Sequence, residues 1–200
     1  MNSAGLSETN WLLFVAGAVG LILAAYLVFR RVSRRVYERH GRLTRVAACL
    51  QFLVILGVIA FPFLYNPTQW QGFWILETPA GRPLATAGVV VIVLGFIVAF
   101  GTLAWFGLRR AFGLGVVGLV RGGPYRLTRN PQIIGGYLLI IGSSLQWPSL
   151  YACGWIALWG IVTHWMILTE EEHLRRQFGE EYVRFCREIP RYLVRLGKTE

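Results

Sequence analysis

The chain has 200 residues, of which 55% are hydrophobic, 14% aromatic and only 15% charged, whereas roughly 25% of the residues of an ordinary soluble domain are charged. The formal net charge of +10 would suit either nucleic acid or an anionic membrane surface, and the apolar fraction decides for the membrane. All ten acidic residues are glutamates. Chemistry that depends on an aspartate-held metal or an aspartate-oriented triad is therefore excluded, and no nucleic-acid partner is expected.

Apolar segments long enough for membrane helices recur along the chain. A bilayer core takes about 20 apolar residues in helical form, and residues 11–29, 46–65 and 84–108 meet this length. A longer apolar stretch at residues 133–168 is interrupted by a turn at residues 146–149, which predicts two short helices in a hairpin. The sequence thus predicts an all-α polytopic membrane protein with about five transmembrane helices, a cytoplasmic loop and a C-terminal helical tail.

The positive charges indicate how these helices are oriented. Nineteen of the twenty cations lie in three blocks, at residues 30–45, 109–129 and 175–198, and only Arg82 lies elsewhere. The positive-inside rule places all three blocks in the cytoplasm and the N-terminus outside. Five spans also bring the C-terminus to the cytoplasmic side. Since arginine is far commoner than lysine, as in many GC-rich bacterial genes, we predict an integral protein of the bacterial inner membrane.

Polar residues are concentrated in the second half of the chain. We expect a single membrane domain in which residues 1–108 form a three-helix scaffold and residues 109–200 bind a cofactor and carry the chemistry. Cys49, Cys153 and Cys186 are far apart, and no pair has metal-ligand spacing. Neither a disulfide framework nor a metal site is therefore predicted.

Two features of the second half have functional interpretations. Residues 118–131 contain paired glycines, two prolines and three arginines, which predict a folded cytoplasmic loop that contacts lipid headgroups or holds an anion. The last apolar helix ends in three successive glutamates, residues 170–172. We expect one or two of them to pair with Arg175 and Arg176 at four-residue spacing and another to face the bundle.

These features together suggest a ligand. A carboxylate opposite an arginine-bearing loop suits a zwitterionic amino-acid group, and aromatic side chains such as Tyr125 and Tyr182 suit a purine or a sulfonium cation. S-adenosylmethionine has all of these groups. His164, two helical turns before Glu171, is a further ionisable residue at membrane depth. It is either a functional residue or a hydrogen-bonded interface histidine.

Two motifs follow each other over residues 118–191. The first consists of Leu119-Val120, Gly123-Pro124-Tyr125 and Arg129-Asn130-Pro131 with Gly135. The second consists of Glu170-Glu171 with Leu174, Phe178-Gly179, Tyr182 and Ile189-Pro190-Arg191. In this order and at this spacing they resemble the paired motifs of the isoprenylcysteine carboxyl methyltransferase and phospholipid methyltransferase superfamily, which consists of integral membrane proteins.

The resemblance implies an S-adenosylmethionine-dependent methyltransferase that acts at the cytoplasmic membrane face. Its acceptor would be lipophilic: a phospholipid amine, an isoprenoid, or an apolar thiol or carboxylate. Such a transfer needs alignment more than acid or base groups, and the sequence indicates no particular catalytic residue. Glu170 is implied as the partner of the cofactor's amino group. Carried over by position, the cofactor-binding residues are Leu119, Val120, Tyr125, Asn130, Pro131, Gln132, Ile133 and Glu170.

Three positions depart from the superfamily's pattern. Asn130 replaces a histidine, Ile133 replaces a tyrosine, and Met166 replaces an arginine that is associated with the substrate in the prenylcysteine enzymes. Asn130 still hydrogen-bonds a carboxylate but carries no charge, and an acceptor carboxylate would lack the expected counter-charge. One alternative is therefore a non-catalytic member that binds a lipid or a partner. Another is a sterol-reductase-like enzyme that uses NADPH.

Overall fold

The computed structural model describes residues 8–65, 81–107 and 118–192. Within these ranges the chain is helical and contains no β-strand, which confirms the all-α prediction. A π-helical segment, Tyr26–Ser33, joins the first two helices, and a short 3-10 helix, Gly123–Arg126, lies before the fifth. The α-helices are α1 (Glu8–Ala25), α2 (Arg34–His40), α3 (Arg45–Tyr65), α4 (Gly81–Phe106), α5 (Pro131–Gln146) and α6 (Leu150–Glu188).

The lengths of these helices support a polytopic membrane protein. In the described part of the chain, four helical segments are long and apolar enough to cross a membrane: Trp11–His40, Arg45–Pro62, Gly81–Trp105 and Leu150–Glu188. The remaining apolar helix, α5, has 16 residues, which corresponds to about 24 Å and is shorter than a ~30 Å hydrocarbon core. The predicted break between the last two helices is present. The predicted domain boundary at residue 108 lies outside the described residues.

Helices α1, α3 and α6 meet in a buried aromatic core. Phe14 of α1, Phe61 of α3 and Trp155 of α6 are all buried there. The rings of Phe14 and Phe61 have centroids 5.0 Å apart, and the Trp155 indole donates a 2.7 Å hydrogen bond to the carbonyl oxygen of Val58. Because each aromatic side chain fits between two helices, these contacts determine how the three helices lie against one another.

Helices α4 and α5 run antiparallel and approach each other closely through glycines. Gly88 lies against Gly142, and Gly95 lies against Gly135. A Cβ atom at Gly95 would lie 2.8 Å from the backbone nitrogen of Leu139, closer than side chains approach one another in packed interiors. Such small-residue contacts are typical of helix pairs in membranes. Through α5, which also packs on α6, this pair is attached to the rest of the bundle.

The arginine-rich end of the bundle comprises α2, the start of α3, the 118–130 loop and the last third of α6. Helix α6 bends there at Gly179, whose φ of +51° and ψ of −128° strongly favour glycine. Beyond the bend, Tyr182 and Phe185 are buried and pack with Leu119 of the loop. The bend therefore brings the final turns of α6 back against the loop that carries the first motif.

Candidate cofactor site

A cavity lies at the arginine-rich end, between the 118–130 loop and α6. Its volume is about 140 Å³, roughly ten times the 10–15 Å³ that a single water requires. Six of the eight residues predicted to bind a cofactor line it: Leu119, Val120, Tyr125, Asn130, Gln132 and Glu170. The other two, Pro131 and Ile133, are buried in the first turn of α5 and are not among the lining residues.

Part of the cavity wall comes from the first half of the chain. Tyr37 of α2, Leu43 of the following connection and Gln51 of α3 all line the cavity. The Gln51 amide donates a 2.8 Å hydrogen bond to the hydroxyl of Ser33. Sequence reasoning missed these residues because no motif marks them. The block of arginines around Tyr37 was a signal only for membrane orientation.

Glu171 is the centre of a buried ion-pair cluster. Its side chain is only 6% exposed, and Arg129 Nη1 donates to its Oε1 at 2.7 Å. Arg191 binds the same carboxylate with both donors, Nε to Oε1 at 2.9 Å and Nη2 to Oε2 at 2.7 Å. The hydrogen bond with Glu171 raises the pKa of the Arg191 guanidinium. This cluster joins α6, the loop and the segment that follows α6.

Backbone hydrogen bonds reinforce the same junction. The Arg129 N–H donates to the carbonyl oxygen of Pro190 at 3.0 Å, and the Asn130 amide donates to the carbonyl oxygen of Arg191 at 3.1 Å. The Thr128 hydroxyl lies 3.3 Å from the same Arg191 carbonyl oxygen, to which it donates. Asn130, at the position of the superfamily's histidine, thus links the two motifs directly.

Glu172 points to the other side of α6, toward the π-helical segment. Its Oε1 accepts a 2.8 Å hydrogen bond from Arg30 Nη2, and its Oε2 lies 3.4 Å from Arg34 Nε. Arg30 also donates to the hydroxyl of Thr169 at 3.2 Å. The Thr169 hydroxyl lies 3.2 Å from the backbone carbonyl oxygen of Phe29. These contacts attach α1 and α2 to the helix that lines the cavity.

The predicted pairing within α6 is wrong for these glutamates. Glu171 and Glu172 pair with arginines of other elements and not with Arg175 or Arg176 in the described structure. Arg176 instead forms a 3.0 Å ion pair with Glu38 of α2. The physical reason is that the two carboxylates face inward, toward neighbouring elements, whereas Arg175 and Arg176 are exposed.

Glu170 has no hydrogen bond or ion pair with any described residue, and its side chain lines the cavity. Two donors of the same wall, Gln132 Nε2 and Arg129 Nε, are buried without a hydrogen-bond partner in the described structure. Burial raises the pKa of the Tyr125 hydroxyl, and the Glu170 carboxylate raises it further. Tyr125 therefore stays protonated beside Glu170. The cavity thus combines one carboxyl group that has no partner among the described residues with two uncommitted donors.

His164 lies outside this cavity. Its Nδ1 hydrogen-bonds to the hydroxyl of Tyr192, and it is not a lining residue. This position fits the interface interpretation of His164 and not the functional one. Within the described residues, no group of three or more His, Cys, Asp or Glu side chains is arranged to hold a metal ion.

Comparison with known proteins agrees with the motifs. Residues 81–181 match the sequence model of the phospholipid methyltransferase family. One relative, the nickel-cobalt-cadmium resistance protein NccN of Alcaligenes xylosoxydans xylosoxydans, is 24% identical over 144 residues. The alignment covers 72% of this chain and 63% of that relative, so the chain spans less than two thirds of the relative's length. No solved structure matches the chain significantly.

Proposed function

The chain belongs to the phospholipid methyltransferase family, and we propose that it transfers a methyl group from S-adenosylmethionine to a lipophilic acceptor. The reaction would take place at the cytoplasmic face of a bacterial inner membrane, with the N-terminus outside and the C-terminus in the cytoplasm. Possible acceptors are a phospholipid amine, an isoprenoid, and an apolar thiol or carboxylate. The charge distribution supports this orientation, because the cavity lies at the arginine-rich end.

The observation that carries the proposal is the set of unpaired polar groups in the cavity. Glu170 offers a carboxylate without a partner among the described residues, which suits the amino group of an amino acid. Gln132 Nε2 and Arg129 Nε are buried donors without partners there, and they suit its carboxylate. Because the two buried donors are costly to leave unpaired, a zwitterionic ligand would stabilise them through its carboxylate and place its ammonium group beside Glu170. The residues present therefore fit S-adenosylmethionine.

The chain's own contribution would be binding and alignment. When bound, the cofactor would supply a methyl group on a sulfonium sulfur. A nucleophile would take this methyl group by direct displacement of the sulfur. The cluster around Glu171 holds the loop against α6 and so fixes the relative positions of the side chains that would align the cofactor. Met166 lines the cavity where an arginine would pair with an acceptor carboxylate. An uncharged or cationic acceptor therefore suits this wall better than an anionic one.

Cofactor binding tests the proposal directly. We expect isothermal titration of the purified protein in detergent to detect binding of S-adenosylmethionine and not of NADPH. NADPH binding alone would support the reductase-like alternative. Heat from neither cofactor would contradict the methyltransferase proposal.

Replacement of single glutamates tests which carboxylate contacts the cofactor. We expect Glu170→Gln to weaken binding of S-adenosylmethionine by about tenfold or more, since a hydrogen bond to a charged group contributes roughly 1.5–3 kcal/mol. Glu172→Gln is the matched control, because Glu172 pairs with Arg30 and is not a cavity-lining residue. Equal small effects of the two substitutions would remove Glu170 from the site.

The acceptor can be identified by product analysis. We expect methyl label from S-adenosylmethionine to enter one class of lipid when the protein is incubated with total membrane lipid, and mass spectrometry would identify the product. Binding of the cofactor without any labelled product would favour the non-catalytic alternative.

A further inference from the structure

His173 is the one imidazole among the described residues that line the cavity. Its side chain is 7% exposed, and it lies one helical turn after Glu170, so both residues are on the same side of α6. The cofactor-binding groups assigned above leave its imidazole unused. A buried imidazole that lines the proposed cofactor cavity has a chemical use in methyl transfer, because many acceptors must lose a proton.

Two neighbours hold this ring in place. The Tyr37 ring of α2 stacks on it with centroids 4.1 Å apart and an angle of 16° between the planes. Gln177, one turn further along α6, is its side-chain hydrogen-bond partner. If one ring N–H donates to the Gln177 carbonyl oxygen, the other nitrogen keeps its lone pair. Tyr37 lies outside residues 81–181, the part that matches the family.

We propose that His173 is the general base of the reaction and that the acceptor is a protic nucleophile, an amine or a thiol, with Tyr37 as the positioning residue for the imidazole. This inference rests on the proposed function. The acceptor's lone pair forms the new bond to the methyl carbon, and the bond between that carbon and the cofactor sulfur breaks with its electron pair left on sulfur. The acceptor's proton moves to the free nitrogen of His173 and is later released to water.

The need for a base separates the possible acceptors. An amine is an ammonium ion near pH 7 and has no lone pair until a proton leaves, and a thiol is mostly protonated, whereas its thiolate is the nucleophile. A carboxylate is already ionised at this pH and needs no base. A buried imidazole beside the cavity therefore indicates an amine or thiol, in agreement with Met166 at the position where an arginine would pair with a carboxylate.

Other charged and titratable groups surround the imidazole. Arg176, on the same helix, interacts with it electrostatically. The Tyr37 ring of α2 stacks on it, and Glu170 and Tyr125 line the same cavity. Glu170 is assigned to the cofactor's amino group. Tyr125 is held in its protonated form by burial and by Glu170, so it is a poor proton acceptor.

Three probes with a twelve-carbon chain test the acceptor class: dodecylamine, 1-dodecanethiol and laurate. Each is incubated with methyl-labelled S-adenosylmethionine and the full-length protein in detergent. We expect methylation of the amine or the thiol and not of laurate. Methylation of laurate alone, or of none of the three by a protein that binds the cofactor, would overturn this inference. Absence of cofactor binding to the wild-type protein would instead contradict the proposed function.

Substitution of His173 tests the base itself. We expect His173→Gln to slow methylation of the accepted probe about 100-fold at pH 7, the low end of general-base contributions, while calorimetry shows cofactor affinity within about twofold of wild type. With the thiol as the probe, the rate should recover as the pH rises, since the thiol then ionises by itself. A purely structural role would give no such recovery.

Control variants distinguish the loss of the His173 imidazole from the general effect of a substitution on the same helix. His164→Gln makes the same replacement on the same helix outside the cavity, and we expect wild-type rates from it. Tyr37→Leu should lower kcat by about tenfold through loss of orientation, and Tyr37→Phe, which keeps the stacked ring, should recover most of that loss. An unchanged pH profile in His173→Gln, or equal losses in His164→Gln and His173→Gln, would contradict the assignment.

Discussion

Three adjacent glutamates on α6 have three different environments. Glu171 is enclosed by Arg129 and Arg191, Glu172 is bound by Arg30 of the π-helical segment, and Glu170 faces the cavity without a partner among the described residues. Successive residues of a helix point about 100° apart, so neighbouring carboxylates contact different elements. One short acidic run can therefore form ion pairs with two other parts of the structure and still leave one carboxyl group for a ligand.

The buried cluster predicts a large effect on stability at Glu171. We expect Glu171→Gln to reduce the free energy of unfolding by about 3–5 kcal/mol, because it leaves Arg129 and Arg191 with an uncompensated buried charge. Thermal unfolding in detergent measures this loss. Glu181→Gln is the control, because the side chains of Glu181 and its partner Arg121 are 51% and 40% exposed and such pairs contribute at most about 1 kcal/mol. A loss at Glu171 no greater than at Glu181 would contradict the cluster.

At the scale of elements, the π-helical segment has a specific position. It lies where α1 leaves the aromatic core, and within it the Phe29 carbonyl and the Arg30 guanidinium both meet Thr169 of α6. A π-helical turn accommodates one more residue than an α-helical turn and so rotates the side chains that follow. After this turn, Tyr37 of α2 faces the cavity and stacks on His173.

The contact between α4 and α5 predicts which glycines tolerate a methyl group. We expect Gly95→Ala to destabilise the protein by about 1–3 kcal/mol, the usual cost of overpacking, because the added Cβ would lie 2.9 Å from the carbonyl oxygen of Gly135. Thermal unfolding in detergent compares it with Gly101→Ala on the same helix, where no atom lies within 4 Å of the added Cβ. If both substitutions had the same effect, close packing of α4 on α5 would be wrong.

At the scale of the whole molecule, the described arginines other than Arg82 are gathered at the end of the bundle that holds the cavity. If the positive-inside rule applies, this end faces the cytoplasm, where S-adenosylmethionine is made available to enzymes. The opposite end contains the connection between α5 and α6. The orientation of the bundle in the membrane therefore decides whether the proposed cofactor can reach its site.

Cysteine accessibility tests that orientation. In a variant without native cysteines, we expect a membrane-impermeant maleimide to label Pro148→Cys in intact spheroplasts and to label Arg39→Cys only after permeabilisation. Both positions are exposed, and they lie at opposite ends of the bundle. A gel shift reports the labelling. Labelling of Arg39→Cys alone in intact spheroplasts would reverse the topology.

Much of the architecture follows from local patterns along the chain. Hydropathy predicted the long apolar helices and the break at residues 146–149, because helix formation and membrane burial depend on residues that are neighbours in sequence. The two motifs also pointed to residues that share one cavity, among them Tyr125 and Glu170. The order of the motifs predicts this shared cavity because it reflects an arrangement of helix and loop that recurs among proteins with these motifs.

Packing decided the rest, because its contacts join residues that are distant in sequence. The pair of Arg30 with Glu172 spans 142 positions, and the pair of Arg129 with Glu171 spans 42. No local pattern distinguishes these arginines from their neighbours. The stacking of Tyr37 on His173 likewise depends on how α2 lies against α6. Composition and hydropathy thus determined that the chain forms membrane helices, and the motifs indicated Glu170. The tertiary structure alone determined how Glu171 and Glu172 are paired, and so that Glu170 has no partner among the described residues.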